Sequence, residues 1–352
     1  MDVIKGRGAC SNGKFRFENW QREAVEEEWP ETDGSVLRTT VVMRAAKSII
    51  SRNRSPDVPF DASINPIQGC EHGCVYCFAR PTHEYLGLSA GLDFETKLFA
   101  KQNAAELLRA EFSKRNYVPE TITIGANTDP YQPAEKKLEL TRRLLEVFED
   151  FKHPVSIITK SGLIVRDLDI LSRLAENRLV KVHVSVTSLD SELSRTLEPR
   201  ASAPARRLLA IERLAAAGVP VGVLVAPVIP AITDYQLEAI VKAVAAAGAK
   251  TAGYVLLRLP LEVEGLFKEW LEAHFPLRAK HVQTLLSDMR GGRMYDSAFG
   301  KRMSGTGPYA DLLRDRFRLA CRKYGLNLNR TVLDSSLFLK PSRDLSRQLK
   351  LF

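Results

Sequence analysis

Cysteine is scarce in this sequence, and it has no long apolar run. The sequence has five cysteines among 352 residues, three of them clustered. This pattern argues against a framework of disulfide bonds and favours a reducing compartment. The most apolar run, residues 219–232, is interrupted by three prolines and is shorter than the roughly 20 residues that a membrane helix needs. Residues 1–20 are polar and basic and lack the apolar core of a secretion signal. These absences predict a cytoplasmic protein without a membrane partner.

Acidic residues are fewer than basic ones, 42 against 51, and the formal net charge is +9. An excess of positive charge raises the affinity for anionic partners such as nucleic acids. Spread over a chain of this length, the same excess is also common in proteins that bind no nucleic acid. The charge makes a nucleic acid a candidate partner without identifying one.

The clustered cysteines, Cys70, Cys74 and Cys77, form a C-x3-C-x2-C triplet. Three thiolates on one loop are able to bind three irons of a cubane iron–sulfur cluster and to leave the fourth iron open for chemistry. A structural zinc site needs four protein ligands, usually from two paired C-x2-C units, and no second pair exists here. His72 is an alternative fourth zinc ligand, but its place two residues after Cys70 is poor for sharing a metal. The spacing favours a cluster with one open iron.

With Tyr76 directly before its third cysteine, the triplet resembles the signature of the radical S-adenosylmethionine (radical SAM) enzymes. The resemblance implies a [4Fe–4S] cluster on the three cysteines, with SAM bound at the fourth iron. It also implies an electron donor, either a reductase or a flavodoxin- or ferredoxin-type protein. The electron then cleaves SAM to a 5′-deoxyadenosyl radical.

Three further runs specify a subgroup of that family. Thr128–Pro133, Thr159–Ser161 and Glu198–Arg200 are similar to runs in spore photoproduct lyase and its relatives. The resemblance covers roughly residues 57–260. It does not name a substrate.

Short β-branched runs alternate with amphipathic helical patterns between residues 63 and 257, which favours a parallel sheet covered by crossover helices. Six such units fall short of the eight of a closed TIM barrel. The resemblance implies an α/β fold with a partial (β/α)6 barrel, but chain order alone leaves an open doubly wound sheet as an alternative. The strand candidates are Ser63–Ile67, Thr121–Gly125, Val155–Thr159, Lys181–Val186, Val219–Val225 and Thr251–Leu257.

The flanking regions differ in composition from this core. Residues 1–56 are mixed and basic and predict a partly ordered N-terminal extension. Residues 57–262 form the predicted radical SAM core, and residues 263–352 show only helical patterns, which predict a C-terminal cap. The polar, basic residues 340–350 are predicted to fray.

Polar side chains follow the predicted strands, where parallel sheets carry their ligands. Lys160, after the third strand, is a cation able to neutralise the SAM carboxylate, and Ser185, after the fourth, can hydrogen bond to the same group. Each also has an ordinary interpretation, as a solvated lysine or a turn serine. Arg200 either contacts SAM or substrate, or forms an ion pair with Glu198. The predicted SAM contacts are Tyr76, Asn127, Thr128, Lys160, Ser185 and Arg200.

The sequence departs from spore photoproduct lyase in one respect. That enzyme has a cysteine hydrogen donor in the loop after the second strand, where this chain has Ala126 and Asn127. The same relay is therefore not expected. A basic, glycine-rich segment, residues 290–307, offers guanidinium groups and exposed amides for phosphate, and we interpret it as a substrate-facing lid rather than a solvated loop.

Taken together, the residues predict a radical SAM enzyme that abstracts hydrogen from an unidentified substrate, with a nucleic acid as one candidate. They do not identify a catalytic residue beyond the cofactor ligands. The alternative is a non-catalytic, metal-dependent nucleic-acid-binding module. A methylthiolase is a further alternative, but this chain lacks the additional cysteines of such enzymes.

Overall fold

The larger β-sheet contains all six predicted strands. The computed structural model describes residues 3–13, 16–17, 37–329 and 331–340. The spatial order of the larger sheet is β10–β9–β8–β7–β6–β3–β2, with bounds that differ from the prediction by at most three residues at either end. The strands are β1 (Thr40–Arg44), β2 (Ile50–Arg52), β3 (Ala62–Ile64), β4 (Ile67–Gln68), β5 (Lys97–Lys101), β6 (Ile122–Ile124), β7 (Val155–Thr159), β8 (Val180–Ser185), β9 (Val221–Val228) and β10 (Thr251–Leu256).

Strands β3 and β6 to β10 are parallel and neighbour one another in chain order. A doubly wound sheet reverses its strand order at a switch point, and this sheet has no reversal among the described residues. The order confirms the predicted partial (β/α)6 barrel. All six parallel strands end at the same edge, which we call the carboxyl edge.

The two edge strands of the larger sheet are β10 and the antiparallel strand β2. Residues 300–303, which we call the bridging segment, contact both edges. The Leu256 N–H donates to the Met303 carbonyl at 2.8 Å, and the Gly300 N–H donates to Asp57 Oδ1, also at 2.8 Å. Asp57 lies between β2 and β3, so this segment spans the opening of the partial barrel.

A second, three-stranded sheet with the order β1–β5–β4 is absent from the prediction. All five residues of β1 are exposed, so the strand lacks the alternation of buried and exposed positions that signals a half-buried strand. Strands β1 and β2 lie within residues 1–56, of which residues 1–2, 14–15 and 18–36 lie outside the described residues.

Helices cover the sheet and extend beyond it. The C-terminal helices were predicted, and Trp270 on one of them is fully buried, with Nε1 donating to the Thr196 carbonyl at 3.0 Å. The predicted fraying falls on residues 341–350, outside the described part of the chain, apart from Lys340. No described helix is both long and apolar enough to cross a membrane. The helices are α1 (Leu92–Thr96), α2 (Ala104–Phe112), α3 (Glu135–Leu138), α4 (Leu140–Asp150), α5 (Leu168–Glu176), α6 (Ser191–Leu197), α7 (Pro204–Ala216), α8 (Leu237–Ala246), α9 (Glu262–His274), α10 (Ala279–Asp288) and α11 (Pro308–Lys323).

Candidate active site

The three clustered cysteines lie on a loop that follows β4 at the carboxyl edge. We call residues 69–77 the cysteine loop. Cys70 and Cys74 are buried and Cys77 is half-buried. Successive tight turns shape the loop: the Gly73 N–H donates to the Cys70 carbonyl at 3.3 Å, and the Cys77 N–H donates to the Cys74 carbonyl at 3.2 Å. The loop thus presents three thiols from a short backbone segment that is held by its own hydrogen bonds.

The electrostatics of these thiols suit a metal centre. Burial, the largest cause, raises the pKa of the Cys70 and Cys74 thiols, and each of the two also feels the charge of Cys77. Neighbouring buried thiolates are unfavourable without positive charge, whereas a bound metal ion holds its thiol ligands deprotonated. The donor set therefore fits an iron–sulfur cluster.

His72, the fourth ligand of the zinc alternative, contacts a carboxylate instead. Its Nδ1 lies 3.3 Å from Asp129 Oδ2. In the part of the chain that the structure describes, no three His, Cys, Asp or Glu side chains are grouped to hold one metal ion. A cubane cluster does not need such a group, since each thiolate binds a different iron.

Arg80 and Glu95 form a fully buried ion pair next to the cysteine loop. Arginine has five N–H donors, and all five have acceptors here. Arg80 donates to the Cys74 carbonyl at 2.8 Å and the Gly73 carbonyl at 3.1 Å, to the carbonyls of residues 90 and 91, and to the Glu95 carboxylate. One guanidinium group thereby fixes the backbone between two of the cysteines.

Residues 7–13, which we call the N-terminal strap, cover the loop from the other side of Glu95. The Gly8 and Ala9 N–H groups donate to the Glu95 carboxylate at 3.0 and 2.9 Å. A β-carbon on Gly8 would lie 1.7 Å from the Gly73 carbonyl oxygen. Only glycine permits so close an approach of two backbones, so the strap packs directly on the cysteine loop.

Asp129 connects the cysteine loop to the ends of β6 and β7. Its carboxylate accepts hydrogen bonds from the Thr159 hydroxyl and the Lys160 N–H, both at 2.7 Å. Burial alone would raise the pKa of Asp129, but contact with His72 and these hydrogen bonds hold it at about 2. Asp129 is therefore a stable anion that fixes the backbone on which Lys160 is carried.

Lys160 and Tyr76 lie together beside the cysteines. The Lys160 ammonium nitrogen is 5.8 Å from the centre of the Tyr76 ring, and its charge acts on the Cys74 thiol in the direction that lowers its pKa, against the larger effect of burial. The ammonium has no carboxylate partner among the described residues. The structure thus places a half-buried cation next to Tyr76 on the cysteine loop.

The other predicted SAM contacts differ in how free their side chains are. Asn127 and Thr128 donate their N–H groups to Asn65 Oδ1 at 2.9 and 3.3 Å, and the Thr128 hydroxyl donates to the Ile67 carbonyl. Ser185 is buried at the end of β8, and its carbonyl accepts a hydrogen bond from Arg207 at 3.1 Å. The Thr128 hydroxyl is therefore already used as a donor within the protein.

Arg200 lies against the cysteine loop. Its guanidinium is 3.0 Å from Glu71, and its N–H donates to the His72 carbonyl at 3.2 Å. The ion pair with Glu198 that the sequence suggested as an alternative is wrong. Glu198 instead pairs with Arg207 and accepts the Tyr76 hydroxyl, so the Tyr76 side chain is anchored in the protein interior.

The basic segment is only partly available to an anion. Arg290 is buried and donates to the carbonyls of Leu257, Lys301 and Arg302 at 2.8 to 3.0 Å. Arg302 pairs with Asp57. The lid interpretation is therefore wrong for these two arginines, which hold the bridging segment in place, whereas Arg293 and Lys301 are exposed.

Sequence reasoning missed the residues that support the cysteine loop. Asp129 lies inside a run that the sequence had already marked, so its position was a usable signal. Arg80, Glu95 and Arg207 are buried charges whose partners lie 9 to 15 residues away in sequence. Such pairs follow no periodic pattern and leave no local signal.

Comparisons with known proteins agree with this site. Residues 64–244 match the family model of the radical SAM superfamily. An uncharacterised protein of Mycobacterium tuberculosis is 34% identical over 299 residues, which are 84% of this chain and 83% of that protein. An uncharacterised protein of Methanocaldococcus jannaschii is 25% identical over 236 residues, 67% of this chain and 84% of that protein.

Solved structures show the same fold. Spore photoproduct lyase complexed with dinucleoside spore photoproduct aligns with a TM-score of 0.57 and 16% identity, over 81% of this chain and 80% of that chain. A mutant spore photoproduct lyase aligns with a TM-score of 0.57 and 18% identity over 86% of both chains. Radical SAM enzymes use a [4Fe–4S] cluster and SAM and need an electron donor. By its matched residues and its relatives, this chain belongs to the radical SAM superfamily and is a radical SAM enzyme.

Proposed function

We propose that Cys70, Cys74 and Cys77 bind the [4Fe–4S] cluster and that the enzyme reductively cleaves SAM to start hydrogen abstraction from an organic substrate. The observation that carries this proposal is the placement of three adjacent thiols beside the unpaired Lys160 ammonium at the carboxyl edge. When bound and reduced, the cluster supplies the electron that breaks the C–S bond of SAM. The protein contributes ligation, orientation and exclusion of water.

Each side chain of the site has a role in this proposal. Lys160 neutralises the SAM carboxylate, and the Ser185 hydroxyl adds a hydrogen bond to the same group. Asn127 and Thr128 border the methionine amino group, where Thr128 acts through its remaining acceptor capacity. Tyr76, held by Glu198, forms a fixed wall for the methionine or the adenine.

Arg200 is assigned a position beside SAM or the substrate. Its pairing with Glu71 on the cysteine loop supports this assignment. A contact at this position would couple ligand binding to the loop that carries the cysteines. In this assignment its guanidinium retains N–H groups for a second, anionic acceptor.

The hydrogen relay of spore photoproduct lyase has no counterpart in this proposal. Ala126 and Asn127 occupy the loop after β6, and the two remaining cysteines lie elsewhere. Cys321 is buried on α11, where burial raises the pKa of its thiol to about 11. Cys10 lies on the N-terminal strap. We therefore propose that the product radical is quenched without a cysteine from this loop.

The proposal includes a reductase or a flavodoxin- or ferredoxin-type protein as electron donor, and a cytoplasmic location. A reducing compartment suits five free cysteines and an oxygen-sensitive cluster. A nucleic acid is the proposed substrate class, supported by the net charge of +9.

The test of the proposed function is the formation of 5′-deoxyadenosine. The protein is reconstituted anaerobically with iron and sulfide, then incubated with SAM and dithionite. The expected result is 5′-deoxyadenosine and methionine in equal amounts, detected by liquid chromatography. Absence of both products from a sample that contains about four irons per chain would refute the proposal.

Lys160→Ala should weaken SAM binding about tenfold or more while the cluster remains. Hydrogen bonds to charged groups contribute roughly 1.5–3 kcal/mol, and no carboxylate of the described residues competes for the Lys160 ammonium. The dissociation constant is measured by anaerobic equilibrium dialysis with labelled SAM. Lys137→Ala, an exposed lysine on α3, is the matched control. If the dissociation constant for SAM is unchanged in Lys160→Ala, Lys160 is a solvated surface lysine and does not bind SAM.

A further inference from the structure

Arg258 and Phe78 form a stacked pair beside the cysteine loop. Arg258 lies two residues after β10, the last parallel strand, and Phe78 directly follows Cys77. The guanidinium carbon is 5.1 Å from the centre of the Phe78 ring. Both side chains therefore lie at the carboxyl edge, next to the proposed cluster, and neither is among the residues assigned to SAM.

Arg258 forms no ion pair with a carboxylate in the described part of the protein, although the Asp57 carboxylate, which pairs with Arg302, is close enough to feel its charge. Its Nε is buried without a hydrogen-bond partner, and Nη1 contacts only the Met303 sulfur at 3.5 Å. The neighbouring arginines have more partners. Arg302 pairs with Asp57, and Arg290 donates to three carbonyls through its Nη atoms, although its Nε, like that of Arg258, is buried without a partner. An unpaired, partly desolvated cation is unfavourable. A ligand oxyanion is the natural partner for its fork of N–H groups.

Phe78 adds a flat apolar surface to this cation. The side chain is 44% exposed, although it lies at the edge where substrate binds in parallel α/β folds. Exposed aromatic rings beside cations form stacking surfaces for nucleobases. The exposed Arg293 and Lys301 belong to the same basic segment, residues 290–307, as Met303.

We infer that Arg258 and Phe78 bind one nucleotide unit of the substrate, with Arg258 on a phosphate and Phe78 against the base. The inference rests on the proposed function, because it places the substrate beside the site of SAM cleavage. The bridging segment fixes the geometry: Met303 contacts Arg258 through its sulfur and β10 through its carbonyl. The nucleotide unit belongs to a free nucleotide or to a single-stranded nucleic acid, and the test separates these two sources.

The test is fluorescence anisotropy of the reconstituted enzyme with labelled single-stranded DNA and RNA ten nucleotides long, across a salt series. Arg258→Ala should weaken binding about tenfold and lower the slope of log K against log salt by about 0.7, the value for one phosphate contact on a single strand. Phe78→Ala should weaken binding about fivefold or more through lost stacking, with the slope unchanged because no charge is removed. Arg258→Lys should keep the slope and lose affinity, since the charge remains without the fork.

The control is Arg314→Ala, an exposed arginine of α11 paired with Asp311, which should match the wild type. Competition by free nucleoside monophosphates at comparable affinity would assign the subsite to a small nucleotide, and its absence would assign it to a nucleic acid. Unchanged affinity and slope in Arg258→Ala would overturn the inference. Wild-type binding weaker than about 100 μM at roughly 150 mM salt, the weak limit of ordinary non-specific binding, would also overturn it.

The outcome is independent of SAM cleavage, because the binding assay contains neither SAM nor reductant. Loss of 5′-deoxyadenosine formation with normal oligonucleotide binding would contradict only the proposed function. Normal cleavage in the wild type together with unchanged binding by Arg258→Ala would contradict only the nucleotide subsite.

Discussion

Cys74→Ala should lose the iron–sulfur cluster, whereas Cys10→Ala and Cys321→Ala should keep about four irons per chain, the content of a cubane cluster. Cys74 is buried between the Arg80 guanidinium, which binds its carbonyl, and the Lys160 charge. No other thiol of the cysteine loop can replace it, since Cys70 and Cys77 are proposed to bind irons of their own. Iron and sulfide are quantified after anaerobic reconstitution, together with the visible absorption of the cluster.

The two control cysteines are informative for different reasons. Cys321 is on α11, among the helices of the C-terminal region, and its loss should affect packing only. Cys10 is on the N-terminal strap, near Glu95 and Glu269, and is the one that a four-cysteine site would recruit. If Cys10→Ala loses its iron while its circular dichroism spectrum shows a folded protein, Cys10 is a fourth ligand. The site would then be a closed four-cysteine site without an open iron.

Arg80→Met should destabilise the protein by about 3–5 kcal/mol, the usual effect of removing one partner of a buried ion pair. Arg80 and Glu95 are both 0% exposed, and the variant removes the counter-charge of Glu95 and one hydrogen bond from each of four carbonyl oxygens. The free energy of unfolding is measured by urea denaturation, with wild type and variants in the same cofactor-loaded state. The control Arg109→Ala removes an exposed pair with Asp150, which is expected to change stability by about 1 kcal/mol at most.

A double variant separates the two contributions of Arg80. Replacing a buried pair by apolar residues is often neutral when only the charges matter. Here Arg80→Met with Glu95→Leu should recover little stability, because the carbonyls of the cysteine loop still lack the hydrogen bonds from Arg80 and the strap loses its acceptor. Full recovery in the double variant would show that the pair is electrostatic alone and that the loop does not depend on it.

Local patterns in the sequence were sufficient for the parallel strands and the long helices. The bounds of Val155–Thr159 were predicted correctly, since its β-branched run is almost entirely buried. The small sheet was missed because β1 carries no alternation. Arg290 was misinterpreted for a related reason: glycine and arginine predict an exposed loop locally, but three carbonyls brought together by the fold bury the side chain.

The residues of the candidate site also fall into those that local sequence patterns identify and those that they do not. The cysteine triplet, Lys160 and Ser185 are identified by spacing and by their place after strands, which are local properties. The contacts that hold the site in place are not local. Gly8 donates to Glu95, 87 residues later in the sequence, and Arg258, after the last parallel strand, contacts Phe78, which lies near the first. Long-range contacts of this kind need the folded chain, since the order of residues alone does not determine which loops are neighbours.

The N-terminal strap has a consequence for how the enzyme is made. Residues 8 and 9 leave the ribosome long before Glu95 does, but they have no acceptor until that carboxylate and Arg80 are in place. Synthesis and docking therefore proceed in opposite orders along the chain. The cysteine loop is enclosed on this side only after its own residues and α1 have been translated, so residues 8 and 9 complete the enclosure of a loop that is synthesised after them.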